Sequence, residues 1–321
     1  MSRVLACAAL LFALPVLAQS VVAPMSESVS VGYVMIPFTV LGDHGRPIID
    51  LRNAEVNLTV DGVPVRSDMF EKSQNAPVSF TILLDGSGSM ALAGKMDSAF
   101  AAIGALIGHR RPGDDFALYV FAESQAVEVA PFTENPNNIT RALGNVKPYG
   151  KTAFFDALAS MPERSKLGRN PSRAIILLSD GIDNASSLTR ATLAQQLQGI
   201  SVPIYSLGLR PPEQPVDSRK RPREDLSDIG LLNEVATLTG GKLYLGNTPQ
   251  QIAEAVSHIE DDLRAQYLIG FAPTGKGAVK YRTISLKLAG RARAVRVRAG
   301  YLGTEPPMVA SRNKDTERKG S

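Results

Sequence analysis

The 321-residue chain has no tryptophan, one cysteine and three histidines. A single cysteine excludes an internal disulfide framework and any cysteine-based structural zinc site. His44, His109 and His258 lie in a turn, at a helix end and on an amphipathic helix, with no metal-ligand spacing between them. Neither sign of charge dominates. Thirty-five Lys and Arg against 31 Asp and Glu leave a net +4, well short of the basic face of a dedicated nucleic-acid binder, so no nucleic-acid partner is expected. Hydrophobic residues at 44% and charged residues at 21% exclude a wholly disordered or collagen-like chain.

The longest apolar run lies at the start. Residues 1–18 contain one Arg, an apolar stretch from Val4 to Leu14, Pro15, and then Val16-Leu17-Ala18. This is the plan of a secretory signal peptide cleaved after Ala18. The run is too short to anchor in a bilayer, and Pro15 would interrupt a buried helix. Cys7 falls too early for a lipoprotein cleavage box and leaves with the signal. The expected product is exported, periplasmic or secreted, thiol-free, and without a transmembrane anchor in the mature chain.

Residues 19–75 read as β structure. Val56-Asn57-Leu58-Thr59-Val60 alternates, and Asp61-Gly62 is a hairpin signal. From residue 76 to 265 the rhythm becomes strand, helix, strand. Val78–Leu84, Phe116–Phe121, Ala174–Leu178 and Val202–Gly208 are apolar runs typical of strands covered on both faces. Helical spacing or composition marks 95–107, 153–161, 190–198, 228–238 and 249–266. That alternation implies a central, mostly parallel sheet with helices on both faces. Residues 211–225 form a charged, proline-rich surface loop. Strands return over 266–303, with Val295, Val297 and Ala299 expected to fold back after a turn at Gly290 as the second leg of a hairpin. The parity break among Arg291, Arg293, Arg296 and Arg298 predicts a late start or a bulge. Residues 304–321 are polar, aperiodic and expected to be a disordered tail.

The informative stretch is Asp85-Gly86-Ser87-Gly88-Ser89, directly after the first buried strand. In open α/β sheets, ligands bind outside the carboxyl ends of strands. A carboxylate and two hydroxyls on one tight loop suit a hard cation such as Mg²⁺. Thr152 opens a helix and Asp180 ends another apolar strand, at equivalent positions. Asp85-x-Ser87-x-Ser89, then Thr152, then Asp180 resembles the metal-ion-dependent adhesion site of von Willebrand factor type A domains. The flanking Thr152-Ala153-Phe154-Phe155-Asp156 and Ser179-Asp180-Gly181-Ile182-Asp183-Asn184 agree. More narrowly, the chain resembles secreted acidobacterial type A-domain proteins, with Tyr267-Leu268-Ile269-Gly270-Phe271 and Val297-Arg298-Ala299-Gly300-Tyr301 as closing motifs.

Neither flanking β segment has enough strands to be stable alone, so 19–75 and 266–303 are expected to pair into one small, discontinuous β-sandwich. The resemblance implies that the 76–265 domain inserted into it is a Rossmann-like α/β domain. It also implies Mg²⁺ or Mn²⁺ ligated directly by Ser87, Ser89 and Thr152, with Asp85 and Asp180 acting partly through water. A partner protein, or another acidic ligand, would supply a carboxylate to the metal. Lys151 stands where the family often has Gly, and is expected to point to solvent. The dinucleotide fingerprint that Gly86–Ala91 also fits would set Asp85 against a pyrophosphate and lacks its later acidic residue. Neither serine sits in a nucleophile elbow, so no enzyme is expected. The alternative is an envelope structural or assembly protein whose metal site mainly stabilises the fold. Residues 266–303 carry eight Lys or Arg and no acid, so the rest of the chain is net negative. That stripe is a second candidate surface, for anionic polymers or lipid headgroups, although strand edges also carry Lys and Arg against aggregation. Protein recovered after export should begin at Gln19 by intact mass and show no thiol to an Ellman titration; a retained Cys7 would overturn the signal assignment.

Overall fold

The structure, a computed structural model, describes residues 33–43, 46–73, 76–209, 225–246, 248–288 and 294–307. The signal segment, Val29 and Val31, His44, most of the charged loop, the Gly290 turn and the tail beyond 307 lie outside the described residues.

Four strands precede residue 76: β1 (Val34–Leu41), β2 (Val56–Val60), β3 (Val63–Pro64) and β4 (Met69–Lys72). The turn between β2 and β3 is Asp61-Gly62, both with positive φ, as the hairpin signal requires. The central strand follows. All eight residues of β5 (Val78–Asp85) are buried, which explains the unbroken apolar run in its sequence. It pairs in parallel with β6 (Asp115–Phe121) on one side and β8 (Ser172–Ser179) on the other. The parallel ladder continues through β9 (Ile204–Leu209) to β10 (Leu243–Gly246). On the far side, β7 (Val127–Thr133) closes the six-stranded sheet as an antiparallel edge.

Side-chain alternation divides this sheet between two helical layers. Phe80, Ile82 and Leu84 face α1 (Lys95–Gly108), α2 (Pro136–Leu143) and α7 (Pro249–Arg264). Leu83, Ala117 and Tyr119 face α3 (Phe154–Ala159), α4 (Met161–Ser165), α5 (Arg190–Leu197) and α6 (Asp225–Thr239). The single helix expected over 153–161 is two, separated at Ser160, because Pro162 can sit in a first helical turn but not continue a helix.

The C-terminal strands are β11 (Tyr267–Phe271), β12 (Lys280–Leu288), β13 (Ala294–Val297) and β14 (Gly300–Gly303). They join the first four in two antiparallel sheets, ordered β13-β1-β11-β4 and β14-β12-β2-β3. Their shared core includes Ile36, Phe38, Leu58, Tyr267, Phe271, Leu286 and Tyr301. Tyr267 stacks on both Phe38 and Phe70, with ring centres 5.5 Å apart. Its hydroxyl accepts from the Leu51 N–H at 2.8 Å.

The expected hairpin of β12 with its return strand does not form. Instead β13 pairs with β1 in one sheet, and β14 pairs with β12 in the other. The two legs are one stretch of chain that changes sheet at Arg298–Ala299, the way sandwich corners are turned. The Arg298 guanidinium is buried at that corner and donates to the carbonyls of Met35 (3.1 Å) and Ile200 (3.4 Å).

Where the parallel domain begins and ends, one ion pair joins three segments. Arg264, at the end of α7, donates to Asp114 at 2.5 and 3.1 Å and to the Ala76 carbonyl at 2.8 Å. Asp114 also accepts from the N–H groups of Val78 (2.8 Å) and Arg111 (2.7 Å). Both side chains are almost fully buried. Removing one partner of such a pair leaves an uncompensated buried charge, at about 3–5 kcal/mol. Asp114→Ala should therefore lower unfolding free energy by about that amount in urea titrations; a loss below 1 kcal/mol would contradict this role.

Candidate metal centre

Parallel strands that start together also end together, and loops from β5, β6 and β8 converge at the carboxyl edge of the sheet. Gly86 N–H donates to the Phe121 carbonyl at 2.7 Å, and Tyr149 N–H to the Gly86 carbonyl at 2.9 Å. Gly88 N–H donates to the Gly150 carbonyl at 3.0 Å, and Ala153 N–H to the Ala122 carbonyl at 2.7 Å. Gly150 has φ +69°, and a Cβ there would meet Glu123 at 2.3 Å. That left-handed backbone favours glycine, while the Glu123 side chain is exposed and can move.

Asp85, Ser87 and Ser89 share one turn. The Ser87 N–H donates to Asp85 Oδ1 at 2.9 Å, and the Ser87 and Ser89 hydroxyls are 3.1 Å apart. The other oxygen of Asp85 accepts from the Ser179 hydroxyl at 2.6 Å, and Ser179 Oγ accepts from the Gly181 N–H. Ser179 thus orients Asp85 from the neighbouring strand. Asp180 follows it and acts electrostatically on Asp85. Thr152 is buried and tied to the segment after Asp180: its N–H donates to Asn184 Oδ1 at 2.8 Å, and its carbonyl accepts from the N–H groups of Asn184 and Ala185. Asp183 accepts from the Phe154 N–H at 2.9 Å, and Asp156 from those of Ser187 and Leu188, so both acids brace the loops. Lys151 is exposed.

The donors suit a hard divalent cation in kind, since all are oxygens. They suit it in charge as well. Asp85 has no exposed surface, and no Lys or Arg pairs with it among the described residues. Burial pushes its carboxyl up to about 6, against the pull of the Ser179 and Ser87 hydrogen bonds. A buried anion in this position lacks a counter-charge, which a cation would supply. No group of three or more His, Cys, Asp or Glu that could hold a metal ion occurs among the described residues.

Asp180 differs. The Lys95 ammonium donates to its Oδ2 at 2.7 Å, with both side chains nearly buried. Sequence reading missed Lys95, although a lysine at the first position of a helix opposes the helix dipole and so invites an explanation. Beside the site lies a groove of about 550 Å³ lined by Val120, Ala122, Val127, Val129, Val146 and Tyr149. Val127, Val129 and Tyr149 are exposed there. The basic C-terminal stripe is partly consumed inside the fold. Arg282 pairs with Asp61 at 3.1 Å, Arg296 pairs with Asp262, and Arg298 is buried.

Residues 80–182 match the family model of the von Willebrand factor type A domain, and that segment holds all five candidate residues. Among solved structures, a von Willebrand factor type A protein from Catenulispora acidiphila is 16% identical, with 83% of this chain and 73% of that one covered and a TM-score of 0.46. An aerotolerance-related membrane protein from Bacteroides fragilis is 20% identical (58% and 98% covered, TM-score 0.43). The von Willebrand factor domain of a type V pilus tip protein from Porphyromonas gingivalis is 13% identical (57% and 94% covered, TM-score 0.42). No curated protein matches.

Because the folded value for Asp85 lies above the ordinary carboxylate value, folding favours its protonated form. In EDTA, its contribution to stability is fully present below about pH 4 and is lost as pH rises towards 6, by roughly 3 kcal/mol. Asp85→Asn should remove that portion of the slope in urea unfolding at pH 4, 5, 6 and 7; an unchanged slope would contradict it.

Proposed function

We propose that this chain is an exported type A-domain protein that binds a partner protein, or another acidic ligand, through a divalent cation and without catalysis. Ser87, Ser89 and Thr152 would hold Mg²⁺ or Mn²⁺ directly, with Asp85 and Asp180 partly through water. The observation that carries this reading is Asp85: a fully buried carboxylate, oriented by Ser179 and Ser87, with hydroxyl oxygens beside it and no cationic partner among the described residues. Bound metal would supply a Lewis-acidic position that a ligand carboxylate completes.

The chain's own residues account for the rest. Hydroxyl donors are neutral, so they hold a cation without quenching its charge. The Gly88–Gly150 and Thr152–Asn184 backbone bonds fix the donor loops to one another before any ligand arrives. The neighbouring groove gives a partner apolar surface beyond its carboxylate, and Tyr149, 62% exposed, is part of its lining. Export rests on the signal-like 1–18 segment. No helix among the described residues is long and apolar enough to cross a membrane.

The test is capture from an envelope extract by immobilised mature protein. EDTA and Asp85→Ala should each abolish capture, while circular dichroism shows that the protein stays folded. Capture that survives both rules out the metal bridge. If chelation alone unfolds the protein, the site is structural.

A further inference from the structure

Lys95 sits where a lysine is electrostatically awkward. It is the first residue of α1, where the helix dipole disfavours a positive charge. The chain reaches it through two consecutive left-handed residues, Ala93 (φ +53°) and Gly94 (φ +72°), immediately after the 3-10 turn Gly88–Ala91 that carries Ser89. A positive φ at alanine is an uncommon, strained conformation. The outcome of both costs is one contact: the Lys95 ammonium on Asp180 Oδ2 at 2.7 Å, with the two side chains 11% and 5% exposed.

The charge pattern gives the contact a meaning. Two nearly buried carboxylates, Asp85 and Asp180, lie within electrostatic reach of one another, and among the described residues only Asp180 of the two has an ammonium. The metal-free site therefore carries one net negative charge. A divalent cation turns this into one net positive charge, which a single ligand carboxylate neutralises. Without Lys95 the loaded site would be neutral, and the arriving carboxylate would leave it negative.

We propose that Lys95 is the built-in counter-ion of this site: it keeps Asp180 paired, weakens the hold on the divalent cation, and leaves the loaded site positively charged for an anionic partner. The inference rests on the metal-dependent reading above. Lys95 acts through Asp180 and is a positioning residue, not a metal ligand.

The experiment is calorimetric titration of the mature protein with Mn²⁺ alone, for wild type, Lys95→Met and Lys95→Arg, with melting temperatures recorded in EDTA. Lys95→Met should bind Mn²⁺ at least tenfold more tightly and melt lower in EDTA, because Asp180 loses its partner. Lys95→Arg should restore both values towards wild type. Should Lys95→Met fail to fold, Lys95→Gln, which keeps a donor for Asp180, is read by the same criterion. Wild-type binding with unchanged or weaker affinity in the neutral variants overturns the role of Lys95 and leaves the metal reading standing. Absence of Mn²⁺ binding in wild type and variants alike overturns the metal reading, and this inference with it.

Discussion

The Arg264–Asp114 pair is the contact on which the rest of the architecture depends. Arg264 lies where the chain leaves the parallel domain, and the Ala76 carbonyl it also grips lies where the chain arrives. Asp114 in turn takes the first N–H of β5 and braces the loop before β6. One guanidinium therefore closes the domain at its base and aligns the starts of β5 and β6. Alignment at the base carries through to the opposite edge, because parallel strands of seven or eight residues run the same distance. The convergence of the loops after Asp85, Phe121 and Ser179 follows from that.

The two edges treat buried acids in opposite ways. At the base, Asp114 has Arg264, while Asp115 shares hydrogen bonds with Ser79 and the Asn170 amide. These acids are satisfied, and their role is architectural. At the carboxyl edge, Asp85 has hydroxyl and amide donors but no positive partner among the described residues, and burial pushes its carboxyl up. Equal burial with unequal compensation sets Asp85 apart from the acids at the base.

What could be read from the sequence was local. The apolar run of β5 and the helical spacing of α1 are each encoded within one segment, and both elements stand near their expected bounds. The Asp85-x-Ser87-x-Ser89 spacing is local too, and its hydrogen bonds span two residues. Strand β7 was missed because its alternation is brief, Pro131 interrupts it, and Val127, Glu128 and Val129 are all exposed on an edge rather than part of a buried run. The hairpin expected at the C-terminus failed because alternation tells which face is buried but not which sheet a strand joins. Arg264–Asp114 and Lys95–Asp180 are separated by 150 and 85 residues, and no local pattern announces such pairs. Three arginines of the basic stripe look like surface charge in sequence and are internal in the fold, for the same reason.

The insertion also has a mechanical side. The chain arrives at and departs from the base of the sheet, and the candidate site occupies the opposite edge, so tension between the site and the sandwich runs along the strand axes. The backbone hydrogen bonds joining β5 to β6 and β8 lie across that direction. They are loaded together in shear rather than peeled one at a time. Under such a pull, the Arg264 clasp keeps the arriving and departing strands of chain side by side, so the load divides between two connections instead of falling on one.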